Sequence, residues 1–221
     1  MNLNDFLFDE HGRPLVNAPT AKTREWMKDY HFELVTPETL TRVIDECIES
    51  KLYAIDLETT GLDSRVYGNR TVDQIVGFCI APKPTVGYYI PVRHKEDGKE
   101  KNISISTVES EIRRLIDSGA VGIFHNAKFD QPFLQHCGGE PMGLWDSHKS
   151  FEDTIILAYL SNTRMKRKGL KHLAKEHCDI EMIELEELFP QDHKGKLDYS
   201  LLDPSLPEVL AYAASDAVAT Y

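Results

Sequence analysis

The stretch that most restricts this chain is LYAIDLETTGLD, residues 52–63, an apolar run that carries Asp56 and Glu58 two positions apart. Residues i and i+2 of a strand face the same way, so the two carboxylates point together, with Tyr53, Ile55 and Leu57 on the opposite face. Burying an unpaired carboxylate is costly, and a pair on one face repels itself unless a cation sits between. Hard oxygen donors of this kind suit Mg²⁺ or Mn²⁺. The TTGL that follows reads as a turn at the strand's C-terminal end, where ligands gather in open α/β sheets. Spacing alone is weak: Asp179-Ile180-Glu181 repeats it within an acidic stretch that reads as solvated surface, and 36 acidic residues produce such pairs by chance.

The rest of the chain reads as α/β with a mixed sheet. Thr36-Pro37 starts a helix through Leu40, Val43, Ile44, Cys47 and Ile48. Strands are expected near 51–58, 73–81, 85–92 and 120–125. Helices are expected at 107–118, near 128–137, 152–161 and 169–177, and over 205–221. Residues 1–35 read as an N-terminal extension of unassigned role. The closing PEVLAYAASDAVATY keeps helical apolar spacing to Tyr221 with no glycine stop, so the chain reads as cut within its last helix, a piece of a longer protein.

Two further constellations carry carboxylates. In HNAKFDQPFL, residues 125–134, a buried strand ends at His125, and Asn126 and Asp130 follow four apart at a helix start, a spacing that shares one helical face. The plainer reading of Asn126 is a helix N-cap. Asn69 and Asp73 share the spacing but lead into a strand, where they diverge. In YAASDA, Tyr212 and Asp216 lie four apart on the final helix, among Ala213, Ala214 and Ala217, which permit close packing. The plainer reading of Tyr212 is a core aromatic. Tyr199 and Asp203 repeat this spacing, but Pro204 disfavours a helical Asp203.

The formal net charge of −11 argues against nucleic-acid binding through bulk positive charge, though not against a local basic groove. Arg164, Lys166, Arg167, Lys168, Lys171 and Lys175 form the only dense basic run; it reads either as phosphate contacts or as a solvated loop balancing local acid. Cys47, Cys79, Cys137 and Cys178 show no C-x-x-C spacing, hence no zinc signature and no compact disulfide framework, and a reducing cytoplasmic home is expected. No window approaches 18 apolar residues, so no membrane helix is expected. No H-E-x-x-H occurs, His172 and His177 read as surface residues, and CGGEPMG, residues 137–143, reads as a loop without the context of a nucleotide cradle.

In order and placement, DLE, NAKFD and YAASD resemble the three motifs of the DEDD 3′–5′ exonucleases, in the subclass whose third motif carries tyrosine. The likeness is closer to the proofreading domain of family A DNA polymerases, the bacterial DNA polymerase I type. QIVGFCIA and VGYYIPVRH look like that domain's second and third strands, and DTIILAYLSN and GLKHLAKEH like its later helices. The resemblance covers residues 36–221. It implies a ribonuclease H-like fold, a mixed five-stranded sheet flanked by helices.

The resemblance also implies a mechanism. Asp56, Glu58, Asp130 and Asp216 would hold two divalent ions, Mg²⁺ or Mn²⁺, about 4 Å apart, with Asp56 bridging both, Glu58 and Asp216 completing one site and Asp130 reaching the other through water. Tyr212 would orient the attacking water, and the product would be a nucleoside 5′-monophosphate. Thr59 and Leu62 would contact the terminal nucleotide, Asn126 and Lys128 would lie near the substrate strand, and Asp153 near the site. Leu185 stands where an aromatic often stacks on a base. The partners implied are a single-stranded DNA 3′ end and a polymerase domain C-terminal to this segment. A free-standing ribonuclease D-like exoribonuclease is the alternative. An inactive nucleic-acid-binding scaffold is a third reading, weakened because all four carboxylates and the tyrosine are present.

Overall fold

In a computed structural model, residues 24–67, 70–135, 151–190, 193 and 195–221 are described. The chain runs β1 (His31–Leu34), α1 (Leu40–Ser50), β2 (Leu52–Thr59), a small ribbon of β3 (Val66–Tyr67) and β4 (Arg70–Thr71), then β5 (Ile75–Lys83), β6 (Val86–Pro91) and α2 (Ile105–Asp117). It continues through β7 (Val121–Phe124), α3 (Ala127–Gln135), β8 (Phe151–Asp153), α4 (Thr154–Ser161), α5 (Leu170–Cys178) and α6 (Pro207–Thr220). The main sheet has the order β1-β6-β5-β2-β7-β8. β5 runs antiparallel to β2 and β6, while β1, β7 and β8 pair parallel with β6, β2 and β7.

The architecture is the α/β fold expected, with six strands in the main sheet rather than five. Neither β1 nor β8 is among the four strands placed from sequence, and β8 takes the first residues of the helix expected over 152–161; at four and three residues each is too short to show alternation. Trp26, Tyr30 and Phe32 bring their ring centroids to 5.1–6.3 Å of one another. Together with Leu34 they pack against the core on the α6 side. Residues 24–35 are therefore part of the packed domain, a correction to the reading that begins it at 36; residues 1–23 lie outside the described residues.

The two faces of β2 set the layout. Tyr53, Ile55 and Leu57 join Leu40, Val43 and Ile44 of α1 and Val108, Ile112 and Leu115 of α2 in one core. Ala54 faces the other side with Val76, Cys79 and Tyr89, under Val209, Ala213 and Ala217 of α6. α6 comes very close to the sheet: a Cβ on Gly87 would lie 2.7 Å from the Ala214 carbonyl oxygen. Glycine in β6 and alanine in α6 thus fix how deep the helix sits.

The segment leading into α6 is pinned by a buried polar chain. His94 Nδ1 donates to the Leu202 carbonyl at 2.8 Å, so Nε2 accepts from the Tyr89 hydroxyl at 2.7 Å. Tyr199 donates to the Val209 carbonyl at 2.9 Å. Burial pushes the His94 imidazole down to about 4, which keeps it neutral in this role. No described helix is long and apolar enough to cross a membrane.

Candidate active site

Asp56 and Glu58 occupy the last turns of β2 on the face that looks toward α6. Asp56 lies opposite Cys79 and Glu58 opposite Gly77, and the pairing shifts register between Glu58 and Thr59, where the strand breaks away into its turn. The Asp56, Glu58 and Cys79 donor atoms all fall within 4.8 Å of one another. The solvated D-x-E pair behaves as expected of it: Asp179 is the exposed left-handed C-cap of α5, and Glu181 is exposed.

Asp130 arrives on the first turn of α3. The start of that helix is organised by Asp153 rather than by Asn126. Asp153 accepts the N–H groups of Asn126 (3.0 Å) and Ala127 (2.9 Å) with its two oxygens, and also that of Ile155 at the start of α4 (3.0 Å). The N-cap role foreseen for Asn126 thus falls to a residue 27 positions away in sequence. Asn126 itself has φ of 74°, a left-handed conformation that asparagine tolerates better than most residues. It stands before the helix and does not share a helical face with Asp130, a correction to the spacing argument. Asp153→Ala is expected to lower stability by about 2–3 kcal/mol, since buried N–H groups at two helix starts lose their acceptor. Urea unfolding measures this; an unchanged midpoint would refute the tether.

Asp130 is 1% exposed and Glu58 8% exposed. Oδ1 of Asp130 and Oδ1 of Asp216 are buried without a hydrogen-bond partner among the described residues. All four carboxylates are pushed above their ordinary range. For Asp56 the causes are burial and then Asp130. For Glu58 they are burial, then Asp216 and Asp56, with Lys171 opposing. Burial pushes Asp130 up to about 8, against the pull of its backbone hydrogen bond. Asp216 is raised by burial and then by Asp56, again with Lys171 opposing. Asp130 raises Asp56, while Asp216 and Asp56 raise Glu58, so carboxylates from β2, α3 and α6 lie near enough to resist one another's ionisation. Buried carboxylate oxygens lacking donors are what a hard divalent cation takes, and the residue set fits one.

Tyr212 stands at the cluster's edge, 8% exposed, its phenol kept protonated by burial and by Glu58 and Asp216. Its ring is tilted against Tyr199 at 5.6 Å, and Lys171 Nζ lies 5.4 Å from the ring centroid. A cleft of about 460 Å³ opens over Asp56, Glu58, Tyr212 and Asp216. Thr59 lines it from the end of β2, Gly61 and Leu62 from the turn that follows, and Leu185, Lys196 and Leu197 from later in the chain. Leu62 is 84% exposed, and Thr59 donates to the Gly61 carbonyl at 2.7 Å, bracing that turn. Sequence reading missed Lys196, Leu197, Phe129 and Tyr199 as cleft residues. None carries a local signal; only the return of the 196–199 segment over β2 brings three of them there.

The basic run is divided by the fold. Lys171 donates to the Ile183 carbonyl (2.8 Å) and to Glu184 (2.6 Å), and Lys175 pairs with Glu181 at 3.3 Å. These two share a face of α5 as expected, but the face meets the acidic 181–184 segment. Lys168 donates to the Met165 carbonyl and lies 5.4 Å from the Tyr159 ring centroid. Arg164, Lys166 and Arg167 are exposed, as is Lys128 on α3.

Residues 33–221 match the sequence profile of the 3′–5′ exonuclease family of the DNA polymerase A type. The chain is 29% identical over 212 residues to DNA polymerase I of Borreliella burgdorferi, covering 92% of this chain and 21% of that relative. It thus spans about a fifth of the length of the curated relative it matches. Among solved structures, ribonuclease D of Trypanosoma brucei shares the fold at 14% identity and a TM-score of 0.60, over 88% of this chain and 63% of the other. Escherichia coli RNase D, an exoribonuclease, does so at 15% identity and a TM-score of 0.57, over 86% and 42% of the two chains.

Proposed function

Since the chain belongs to the 3′–5′ exonuclease family of the DNA polymerase A type, we propose that it removes nucleoside 5′-monophosphates from single-stranded DNA 3′ ends, as the proofreading part of a family A polymerase. What supports this is the open cleft lined by Asp56, Glu58 and Asp216, together with the buried Asp130 that raises Asp56, and the Oδ1 atoms of Asp130 and Asp216, which have no donor among the described residues. These four would hold two divalent ions, Mg²⁺ or Mn²⁺. When bound, such ions supply an activated water at neutral pH and stabilise the leaving 3′ oxygen.

The chain's own residues do the positioning. The Tyr212 phenol stays protonated at the edge of the cluster, so its hydroxyl is fitted to hold the attacking water in line. Leu62 projects from the turn as an apolar wedge against the terminal base, and Leu185 lines the same cleft. Thr59 braces the turn that carries Leu62. Asn126 and Lys128, at the start of α3, are suited to the substrate strand, and the exposed Arg164, Lys166 and Arg167 are suited to phosphates. Lys168, Lys171 and Lys175 act locally, and Lys171 tempers the charge at Glu58 and Asp216. Asp153 acts through the placement of α3. A polymerase domain C-terminal to this segment and a cytoplasmic setting complete the proposal.

The test is release of mononucleotide from 3′-labelled single-stranded DNA and RNA with Mn²⁺, with and without chelator. Faster metal-dependent release from DNA supports the proposal. Faster release from RNA favours a free-standing exoribonuclease, for which the fold shared with ribonuclease D speaks. No metal-dependent release from either leaves an inactive scaffold. Tyr212→Phe is expected to lower kcat about 10²-fold while Mn²⁺ binding, followed by electron paramagnetic resonance, is unchanged. An unaltered kcat would remove Tyr212 from the mechanism.

A further inference from the structure

We propose that Cys79 is a soft donor built into the acidic cluster, so that the site captures thiophilic divalent ions such as Cd²⁺ and Zn²⁺ in an arrangement that Mg²⁺ does not share. The proposal rests on the reading of Asp56, Glu58, Asp130 and Asp216 as a metal site.

Cys79 is fully buried in the middle of β5 and lies directly opposite Asp56 across the strand pair. Its sulfur and the Asp56 and Glu58 oxygens are mutually within 4.8 Å. Donor atoms sharing one ion at Zn–S and Zn–O bond lengths of about 2.3 and 2.1 Å lie up to about 4 Å apart, so small side-chain rotations bring all three onto a single ion. A second, separate observation shows that the place wants a ligand. Asp130 is 1% exposed, its Oδ1 has no partner among the described residues, and its charge acts on both Asp56 and Cys79. Cys79 forms no disulfide, and Cys47, the other buried free cysteine among the described residues, belongs to the opposite core.

Hardness then decides which ion uses the sulfur. Mg²⁺ prefers oxygen and leaves the thiol protonated, whereas Zn²⁺ and Cd²⁺ favour thiolate. Capture of such an ion breaks the S–H bond, forms an S–metal bond and sends the proton to solvent, with no change in oxidation state. The resulting mixed sulfur and carboxylate coordination pulls the ion toward β5, away from the geometry that the oxygens alone define.

The experiment is titration with Cd²⁺ alone in a Cys137→Ser, Cys178→Ser background, reading the ultraviolet thiolate-to-metal charge-transfer band, with Mn²⁺ binding followed in parallel by electron paramagnetic resonance. The expected result is a stoichiometric band that vanishes in Cys79→Ser, together with a loss of Cd²⁺ affinity on the order of 10- to 100-fold. A background protein that binds Mn²⁺ but shows no band overturns the proposal and leaves the metal-site reading standing. A band that persists in Cys79→Ser overturns it too, since the sulfur must then be Cys47. Binding of neither ion overturns this proposal and the underlying reading together.

Discussion

Asp56→Ala should reduce mononucleotide release by at least about 10³-fold, at the upper end of what loss of one electrostatic stabiliser costs an enzyme. Asp56 is the member of the cluster whose charge is felt by Glu58, Asp216 and Cys79 alike, and it is itself raised by Asp130. Removing it leaves no group that links the α3 side of the cluster to the α6 side. The same substitution should act on the fold in the opposite direction. In chelator, the variant loses a carboxylate that its neighbours repel, so its melting temperature should rise above that of the wild type. An assay on 3′-labelled DNA and a thermal melt in chelator therefore give results of opposite sign. Cleavage at the wild-type rate would sink the assignment; lost cleavage with a lowered melting temperature would mean that the variant is damaged rather than disarmed.

The second large effect is the pH dependence of stabilisation by metal. The four carboxylates are held above their unfolded values, so the folded state keeps their protons longer. Their contribution to stability is present below about pH 4 and is lost as pH rises through the raised values, which for Asp130 is about 8. Protons and Mn²⁺ compete for the same oxygens, so the gain from metal should grow across that window. Each ion held at a hundred times its Kd adds about 2.7 kcal/mol. Urea unfolding with and without Mn²⁺ at pH 5 and pH 8 measures the difference. His94 works the other way, since its depressed folded value gives stability that is full above about pH 6.5 and lost toward pH 4, but its contribution cancels between the two metal conditions. A metal-induced gain that is equal at both pH values would contradict the cluster.

Much of the site was legible because each carboxylate sits in a segment with strong local pattern. Asp56 and Glu58 interrupt an apolar strand, Asp130 opens a helix, and Tyr212 and Asp216 share a turn of a helix rich in alanine. What was not legible depends on distant chain segments meeting. The link between Asn126, Ala127 and Asp153 spans two helix starts and has no spacing rule. Lys171 and Lys175 form a stripe on α5, but its meaning changed once residues 181–184 folded against it. Tyr199 reached the cleft through its bond to the Val209 carbonyl and its ring packing on Tyr89 and His94, while Lys196 is paired with Asp73. β1 was missed because four residues give too little alternation, and its pairing with β6 is a fact of the sheet rather than of the segment.

The near-contact of Gly87 with Ala214 has a consequence for how this active site tolerates change. The distance between the α6 carboxylate and those of β2 is set where the Gly87 main chain lies against the Ala214 carbonyl, flanked only by the Ala214 methyl and one Val218 methyl, which leaves little to act as a cushion. Side chains repack around an error, whereas a backbone stop transmits it. A single methyl group at position 87 would lift α6 as a rigid lever and carry Tyr212 and Asp216 with it, while the cores on both faces of the sheet stayed largely filled. The alignment of the chemistry is in that sense a machining tolerance of one strand and one helix, held at a point two residues from Asp216 in sequence and on the far side of the sheet's centre from β2.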